Sequence, residues 1–284
     1  DFTVNGNFLV TSFSKKACED FIKKGLILST NQTFNSGNIK TLHSIAGTII
    51  MSMLGKQCSS LQIAIISAIN LVKSKTKEDL LKIKCFKNLK IIFVDEAQDL
   101  SNIQFELVCL IKNKLEINLV MVGDPNQSIY QFQNGSDKYL IEYDSKNYYL
   151  EINNRSSSEI TTFINYFRPW KNNLPDMKSK IKSRNTLPIL FSGTHNEICD
   201  RIISDLKNTK YEYEKIAILG PCKRGSLHDS LGLKKITNAL TKHKMKFLKH
   251  YNEYTDDQDL QNEDILYQKG KINIFTVYGA KGLE

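Results

Sequence analysis

The sequence predicts an α/β fold with two successive domains and mostly parallel sheets. Short apolar runs typical of strands alternate with longer amphipathic segments typical of helices. Some of these strands, such as IIFV at 91–94, are apolar throughout, as expected for strands that are buried on both faces. A chain of 284 residues is also long enough for two ordinary domains.

The first predicted domain covers residues 1–150. It opens with the strand FLVTSF and a helix capped by Ser14. Helical segments beginning at Thr41 and covering 60–84 follow, so that residues 46–86 form a short helical insertion. The strand KIIFVDE, a helix capped by Ser101 and the strand INLVMVGD complete the alternation.

The pattern restarts near residue 150, which places the second predicted domain at residues 151–284. Helices are predicted over 159–170, which Pro169 ends, over 196–208 and over 231–247. The predicted strands are NYYLEIN at the boundary, PILFSG at 188–193, KIAILGP at 215–221 and KINIFTVYG at 271–279.

Composition excludes several classes of protein. No apolar run approaches the roughly 18 residues that a membrane span requires, and no basic stretch precedes an apolar run at the N-terminus. Six cysteines without a CxxC pair favour free thiols in a reducing compartment over a zinc site. A formal charge of +9 favours an anionic partner, and nucleic acid is the first candidate among such partners. We therefore expect a soluble intracellular protein, in the nucleus or cytoplasm, or in a viral factory if it is of viral origin.

Two adjacent acids, Asp95 and Glu96, follow directly after the strand IIFV. Ligands of α/β proteins bind at the carboxyl ends of the strands, and paired carboxylates there suit Mg²⁺ and the activation of water. A solvated acidic turn after a core strand is the alternative interpretation of such a pair.

The segment VGDPNQSIYQF at 122–132 repeats this design, because Asp124 ends the next apolar strand. Gln127 could sense a γ-phosphate through a hydrogen bond, and Tyr130 and Phe132 could stack on nucleobases. The alternative is an ordinary turn followed by two core aromatics.

Taken together, the motifs resemble the UvrD/Rep-type superfamily 1 DNA helicases. DEAQD at 95–99, VGDPNQSIYQF at 122–132, NNRSS at 153–157 and YGAKGLE at 278–284 resemble motifs II to V, and FSKKACED and TLHS resemble upstream motifs. GPCKRGSLHDSLGLKKI resembles members from large DNA viruses. The resemblance implies two RecA-like domains of the P-loop NTPase type, with an accessory subdomain before motif V that is minimal or absent.

The resemblance also implies a role for each matching residue, with ATP and Mg²⁺ as cofactors. Asp95 would hold Mg²⁺, Glu96 would be the catalytic base, Gln127 would link the γ-phosphate to the DNA path, and Arg155 would be an arginine finger. The residues expected to contact the nucleotide are Asp124, Lys281, Gly282 and Glu284. The residues expected to contact DNA are Phe13, Ser14, Lys16, His43, Tyr130, Phe132 and Tyr278.

By this resemblance the protein is expected to be an ATP-dependent 3′–5′ helicase or translocase. Its expected partner is single-stranded DNA or DNA with a 3′ single-stranded tail. The protein is not expected to bind a membrane, and it is expected to act as a monomer. Three positions depart from the family pattern, and all bear on the DNA contacts: Asn154, Tyr278 and Gln133. A non-catalytic strand-binding module derived from a helicase is the alternative function.

A phosphate-binding loop of the form G-x-x-x-x-G-K-[ST] does not occur in residues 1–284. The nearest match, ILGPCKRGS, fails because Ser226 occupies the lysine position. In the family this loop lies upstream of the FSKKACED motif, and the arginine-bearing motif VI lies downstream of YGAKGLE. The sequence is therefore expected to be a core fragment of a helicase, truncated at both ends.

We expect residues 1–284 to hydrolyse ATP poorly, because the groups that cradle the phosphates lie outside them. Phosphate release measured with and without single-stranded DNA tests this expectation. Turnover that DNA stimulates and that Glu96→Gln abolishes would contradict it.

Overall fold

The computed structural model describes residues 7–12, 15–28, 36–58, 60–129, 134–168, 174–223, 232–251 and 268–281. The chain divides into two compact units, residues 1–182 and 183–284. Every pairing between the named strands is parallel, and helices connect the strands, which confirms the predicted α/β class. None of the helices in these ranges is both long enough and apolar enough to cross a membrane.

The first unit contains a four-stranded sheet with the strand order β2-β1-β3-β4. Its elements are β1 (Phe8–Ser12), α1 (Lys15–Leu28), β2 (Ile39–Thr41), α2 (Leu42–Leu54), α3 (Leu61–Ser74), α4 (Lys77–Leu81), β3 (Ile91–Val94), α5 (Asn102–Leu115), β4 (Asn118–Met121), α6 (Lys138–Ile141), β5 (Ile152–Ser157), α7 (Ser158–Phe167) and β6 (Lys178–Ile181).

Local signals in the sequence set the ends of the long helices. Thr41 caps α2 by accepting a hydrogen bond from the Ser44 N–H, and Gly55 ends the helix with a left-handed φ of 63°. Ser101 is the N-cap of α5, as predicted, and forms a capping box with Gln104. The predicted cap Ser14 lies outside the described residues.

The core of the first unit lies between the sheet and helices α2, α3 and α5. On α3 the buried positions are Ala64, Ile65, Ala68, Ile69 and Val72, which follow the helical spacing i, i+1, i+4, i+5, i+8. The core also takes in Leu9 of β1, Ile92 of β3 and Leu107 of α5, each at most 1% exposed. The predicted helical insertion thus supplies a large part of this core.

Strands β5 and β6 form a separate two-stranded sheet against α7. The structure groups this sheet with the first unit, whereas the sequence interpretation placed it in the second domain. Within the described residues β5 and β6 pair only with each other and belong to neither of the larger sheets. The domain boundary at 150/151 remains a prediction.

The second unit contains a three-stranded sheet with the strand order β7-β9-β8. Its elements are α8 (His195–Asn208), β7 (Ala217–Gly220), α9 (Leu233–Lys242), β8 (Phe247–Lys249), β9 (Ile272–Thr276) and α10 (Val277–Ala280). Gly220 packs against Leu233, and a Cβ at this glycine would lie 2.5 Å from a Leu233 methyl carbon. This contact agrees with the interpretation of ILGPCKRGS as an exit from a strand.

Some predicted elements were wrong. PILFSG forms no strand, and Leu187, Ile189 and Leu190 are 72–76% exposed, without the neighbouring strand that would bury them. NYYLEIN is not a strand over its length either, since β5 begins only at Ile152 and Leu150 is 89% exposed.

Two further predictions needed new boundaries, and both changes occur at turns. The helix predicted to reach residue 247 ends at Lys242, because the chain turns at Lys244, with φ 54°, into the unpredicted strand β8. The strand predicted over 271–279 ends at Thr276, whose hydroxyl accepts the Gly279 N–H and starts α10.

Two isoleucines on α3 test the assignment of the core. Ile65 is fully buried and Ile63 is 56% exposed on the same helix. We expect Ile65→Ala to lower the free energy of unfolding by about 2–5 kcal/mol through lost burial and a cavity, and Ile63→Ala to change it by no more than about 0.5 kcal/mol. Urea unfolding followed by circular dichroism measures both, and equal losses would contradict the placement of α3.

Candidate active site

The parallel register of β1, β3 and β4 brings the ends of these strands to one edge of the sheet. Thr11 of β1 aligns with Val94 of β3, and Val94 aligns with Met121 of β4. The pairing continues beyond the strands, since the Asp95 N–H donates to the Thr11 carbonyl at 2.8 Å and the Val122 N–H to the Val94 carbonyl at 2.8 Å. The residues after β3 and β4 are therefore neighbours.

Glu96 has a left-handed backbone conformation, with φ 53° and ψ 41°. This region disfavours a residue with a Cβ by about 1–2 kcal/mol, so surrounding contacts must hold it. The next residue provides one of them, because the Ala97 N–H donates to the Val122 carbonyl at 3.0 Å. The chain turns here from β3 into a 3-10 turn, Ala97–Asp99.

Gln98 connects this turn to the loop after β4. Its side-chain NH₂ donates to Glu96 Oε2, and its Oε1 accepts the Asp124 N–H at 3.1 Å. Its backbone carbonyl accepts from the Ser128 hydroxyl at 3.2 Å. Gln98 is fully buried. Sequence reasoning missed this residue, although an amide between two acids in DEAQD was visible.

Gly123 allows the close approach of Gln98. A Cβ at this position would lie 2.2 Å from Gln98 Oε1 and 3.1 Å from the Ala97 nitrogen. Only glycine therefore fits beside the amide at this point of the loop.

Asp124 organises the loop after β4. Its Oδ1 accepts the backbone N–H of Asn126 and the side-chain NH₂ of the same residue, both at 3.0 Å. Its Oδ2 accepts the Gln127 side-chain NH₂ at 3.1 Å. The structure thus brings together four predicted residues, either directly or through Gln98: Asp95, Glu96, Asp124 and Gln127.

Polar side chains are buried at the end of β1, beside Asp95. Thr11 and Ser12 are at most 1% exposed, and their hydroxyl oxygens have no hydrogen-bond partner within the described part of the chain.

Burial raises the pKa of the neighbouring Cys18 thiol. A hydrogen bond with the Ser12 backbone opposes this effect, and the negative charge of Asp95 adds to it. The thiol is therefore neutral near pH 7.

Oxygen ligands suit Mg²⁺, and Asp95 presents a half-buried carboxylate at this edge. The described ranges contain no group of three or more His, Cys, Asp or Glu side chains that could hold a metal by themselves. This donor set fits Mg²⁺, which is commonly held by one or two carboxylates together with substrate phosphates.

The remaining predicted residues that the structure describes belong to other elements of the fold. Arg155 is exposed on β5, where Asn153 Oδ1 accepts the N–H groups of residues 155 and 156, both at 2.9 Å, and the register of β5 shifts. His43 is half-buried in the first turn of α2, and burial lowers its pKa, so the ring is neutral near pH 7. Tyr278 lies on α10, and the half-buried Lys281 follows it.

The other predicted residues cannot be placed in the site. Lys16 belongs to α1, but its side chain is not described. The predicted residues that lie outside the described ranges are Phe13, Ser14, Tyr130, Phe132, Gly282 and Glu284.

One segment of the chain is similar to a known protein family. Residues 52–149 match the UvrD/REP helicase N-terminal domain. The matched segment includes Asp95, Glu96, Asp124 and Gln127. Over this segment the chain is similar to the UvrD/REP helicases.

Individual relatives carry corresponding names. A protein of Acanthamoeba polyphaga mimivirus named "Putative ATP-dependent DNA helicase" is 31% identical over 279 residues, which cover 96% of this chain and 39% of that protein. RecBCD enzyme subunit RecB of Borreliella burgdorferi is 32% identical over 52% of this chain and 14% of its own length. ATP-dependent DNA helicase Rep of Buchnera aphidicola subsp. Acyrthosiphon pisum is 32% identical over 49% and 23%. The chain therefore spans well under half of the length of each of these three proteins.

Two glycines test the close approach at Gln98. We expect Gly123→Ala to lower the free energy of unfolding by about 1–3 kcal/mol, because its Cβ would displace the buried amide. The control is Gly47→Ala within α2, where no described atom beyond the adjacent helix backbone lies within 4 Å of the new Cβ and a gain of about 0.5–1 kcal/mol is expected. Urea unfolding measures both, and a neutral Gly123→Ala would contradict the described loop.

Proposed function

We propose that the protein is an ATP-dependent DNA helicase or translocase that moves 3′ to 5′ along single-stranded DNA, and that residues 1–284 form part of its motor. The observation that carries this proposal is the meeting of the Asp95–Glu96 pair with the Asp124–Gln127 turn at one edge of a parallel sheet. The family match and the names of the relatives support it.

The acids at this edge would serve hydrolysis. Asp95 would hold Mg²⁺ beside the phosphates, and Glu96 would accept a proton from the attacking water. Bound ATP supplies the γ-phosphoryl group whose transfer to water drives movement. The left-handed turn at Glu96 fixes the direction in which its side chain leaves the backbone, and a catalytic base needs a fixed position.

Other residues would sense the nucleotide or contact the strand. Gln127 lies on the exposed side of its turn, where its amide could exchange Asp124 for a phosphate oxygen. Arg155 would stabilise charge on the transferring phosphoryl group, and Lys281, Gly282 and Glu284 would contact the nucleotide. Neutral His43 and the aromatic side chains of Phe13, Tyr130, Phe132 and Tyr278 would lie along the DNA, with Ser14 and Lys16 near its phosphates.

The phosphate loop is proposed to enter beside β4. On the open side of this strand the described residues provide no partner, and Val120 and Val122 are 37% and 46% exposed. An apolar strand of a parallel sheet normally lies inside it, with a strand paired at each edge and helices covering both faces. A further parallel strand paired with β4 would deliver a loop to the edge that carries Asp95 and Asp124.

The alternative function is a non-catalytic strand-binding module derived from a helicase. The two proposals differ in whether Glu96 has a catalytic task. A module that only binds DNA would not depend on this carboxylate.

Unwinding by a chain extended to include its phosphate loop and motif VI tests the proposal. We expect unwinding of a duplex with a 3′ tail and not of one with a 5′ tail. Glu96→Gln should reduce the rate at least about 100-fold and leave DNA affinity unchanged, because only the water-activating group is lost.

Glu116→Gln is the matched control for this experiment. Glu116 is also an acid with a left-handed backbone, with φ 55°, and it lies at the end of α5, outside the candidate site. It should retain the full rate. DNA binding without unwinding, unaffected by Glu96→Gln, would favour the strand-binding module.

A further inference from the structure

Gln98 has a task that the proposed roles do not include. Its amide is fully buried and forms hydrogen bonds to two different loops, the one after β3 and the one after β4. The orientation of the amide follows from its partners. A carboxylate only accepts, so the NH₂ must face Glu96, and a backbone N–H only donates, so the oxygen must face Asp124.

The contact at each end is specific. On the Glu96 side a charged acceptor makes the hydrogen bond stronger than a neutral one. On the Asp124 side the amide oxygen holds the backbone of the residue whose carboxylate binds Asn126 and Gln127. A chain of hydrogen bonds therefore runs from Glu96 through Gln98 and Asp124 to Gln127.

Burial makes this chain sensitive to movement. If either loop shifted, one end of the buried Gln98 amide would lose its partner in a place without water, which destabilises the shifted state. The positions in which both loops bind the Gln98 amide at the same time are therefore favoured. Gly123, which leaves space for the amide oxygen, belongs to the same arrangement.

We propose that Gln98 is a positioning residue that orients the Glu96 carboxylate and couples it to the 124–128 turn. The inference rests on the proposed function, because orienting Glu96 matters only if Glu96 acts as a base. Through this link, a change at Gln127 would reach Glu96 without any movement of the sheet.

An exchange of the two side chains tests the link in residues 1–284. Gln98→Glu sets two carboxylates against each other, so we expect it to shift the Asp124 amide resonance and to lower the urea midpoint. Adding Glu96→Gln restores a donor and an acceptor in reversed order, so the double variant should recover most of both changes, as coupled residues do.

Gln104 provides a matched control, because it is also a buried glutamine whose side-chain oxygen accepts a backbone N–H, that of Ser101 at 2.9 Å. Any effect of Gln104→Glu should be unchanged by Glu96→Gln. If the effects of Gln98→Glu and Glu96→Gln are simply additive, the link does not exist and the inference fails.

Kinetics of the extended chain separate a positioning role from a structural one. Gln98→Met should lower kcat for ATP hydrolysis by about 10–100-fold and change KM less than about threefold, because only the base is misplaced. Gln104→Met should leave kcat unchanged. An unchanged kcat for Gln98→Met would overturn the inference.

These outcomes separate the inference from the proposed function. An extended chain without ATPase activity would refute the proposed function, and with it the catalytic purpose of the link. The exchange experiment on residues 1–284 would still show whether Gln98 couples the two loops.

Discussion

The parallel register of β1, β3 and β4 is the constraint on which the candidate site depends. Because Thr11, Val94 and Met121 lie side by side, whatever follows each strand emerges at the same edge. Buried side chains of the strands, such as Leu9 and Ile92, stabilise this register. A slip by one residue would turn these side chains away from the core, so the burial that stabilises the sheet also aligns the acids.

Burial of one amide then converts proximity into fixed geometry. Exposed loops at the end of a sheet could adopt many conformations, but Gln98 requires both of its partners because it has no access to water. The left-handed Glu96 and the close approach at Gly123 are local costs, which this network offsets. The hydrogen bonds of Gln98 therefore restrict the two loops that carry the predicted residues to few conformations.

Much of the fold could be predicted because its signals are local. Apolar runs marked β3 and β4, and Thr41 and Ser101 marked the starts of helices. The short strands β6 and β8, KSKI and FLK, were missed because three or four residues carry too little periodicity. The strand predicted for PILFSG was wrong for the opposite reason, because its apolar signal was clear but no strand in the described residues pairs with it. An apolar run forms a strand only where a neighbouring strand pairs with it.

The site shows the same division between local and tertiary information. That Asp95, Glu96, Asp124 and Gln127 lie at one edge could be predicted because they follow neighbouring parallel strands, while their roles stay predictions. Gln98 could not be predicted, since its importance lies in two contacts made after folding, one of them with a loop 26 residues away.

The two outer strands of the first sheet differ in a way that bears on its completeness. β2 is a short edge of three residues with Lys40 at its centre, which is how natural sheets protect an edge. β4 has no such protection: Leu119 and Met121 pack on the core, yet Val120 on the other face is 37% exposed. An apolar strand left in this state would favour association with other chains. The composition of β4 is therefore that of an inner strand, and a neighbouring strand on the side that the described residues leave open would explain its sequence.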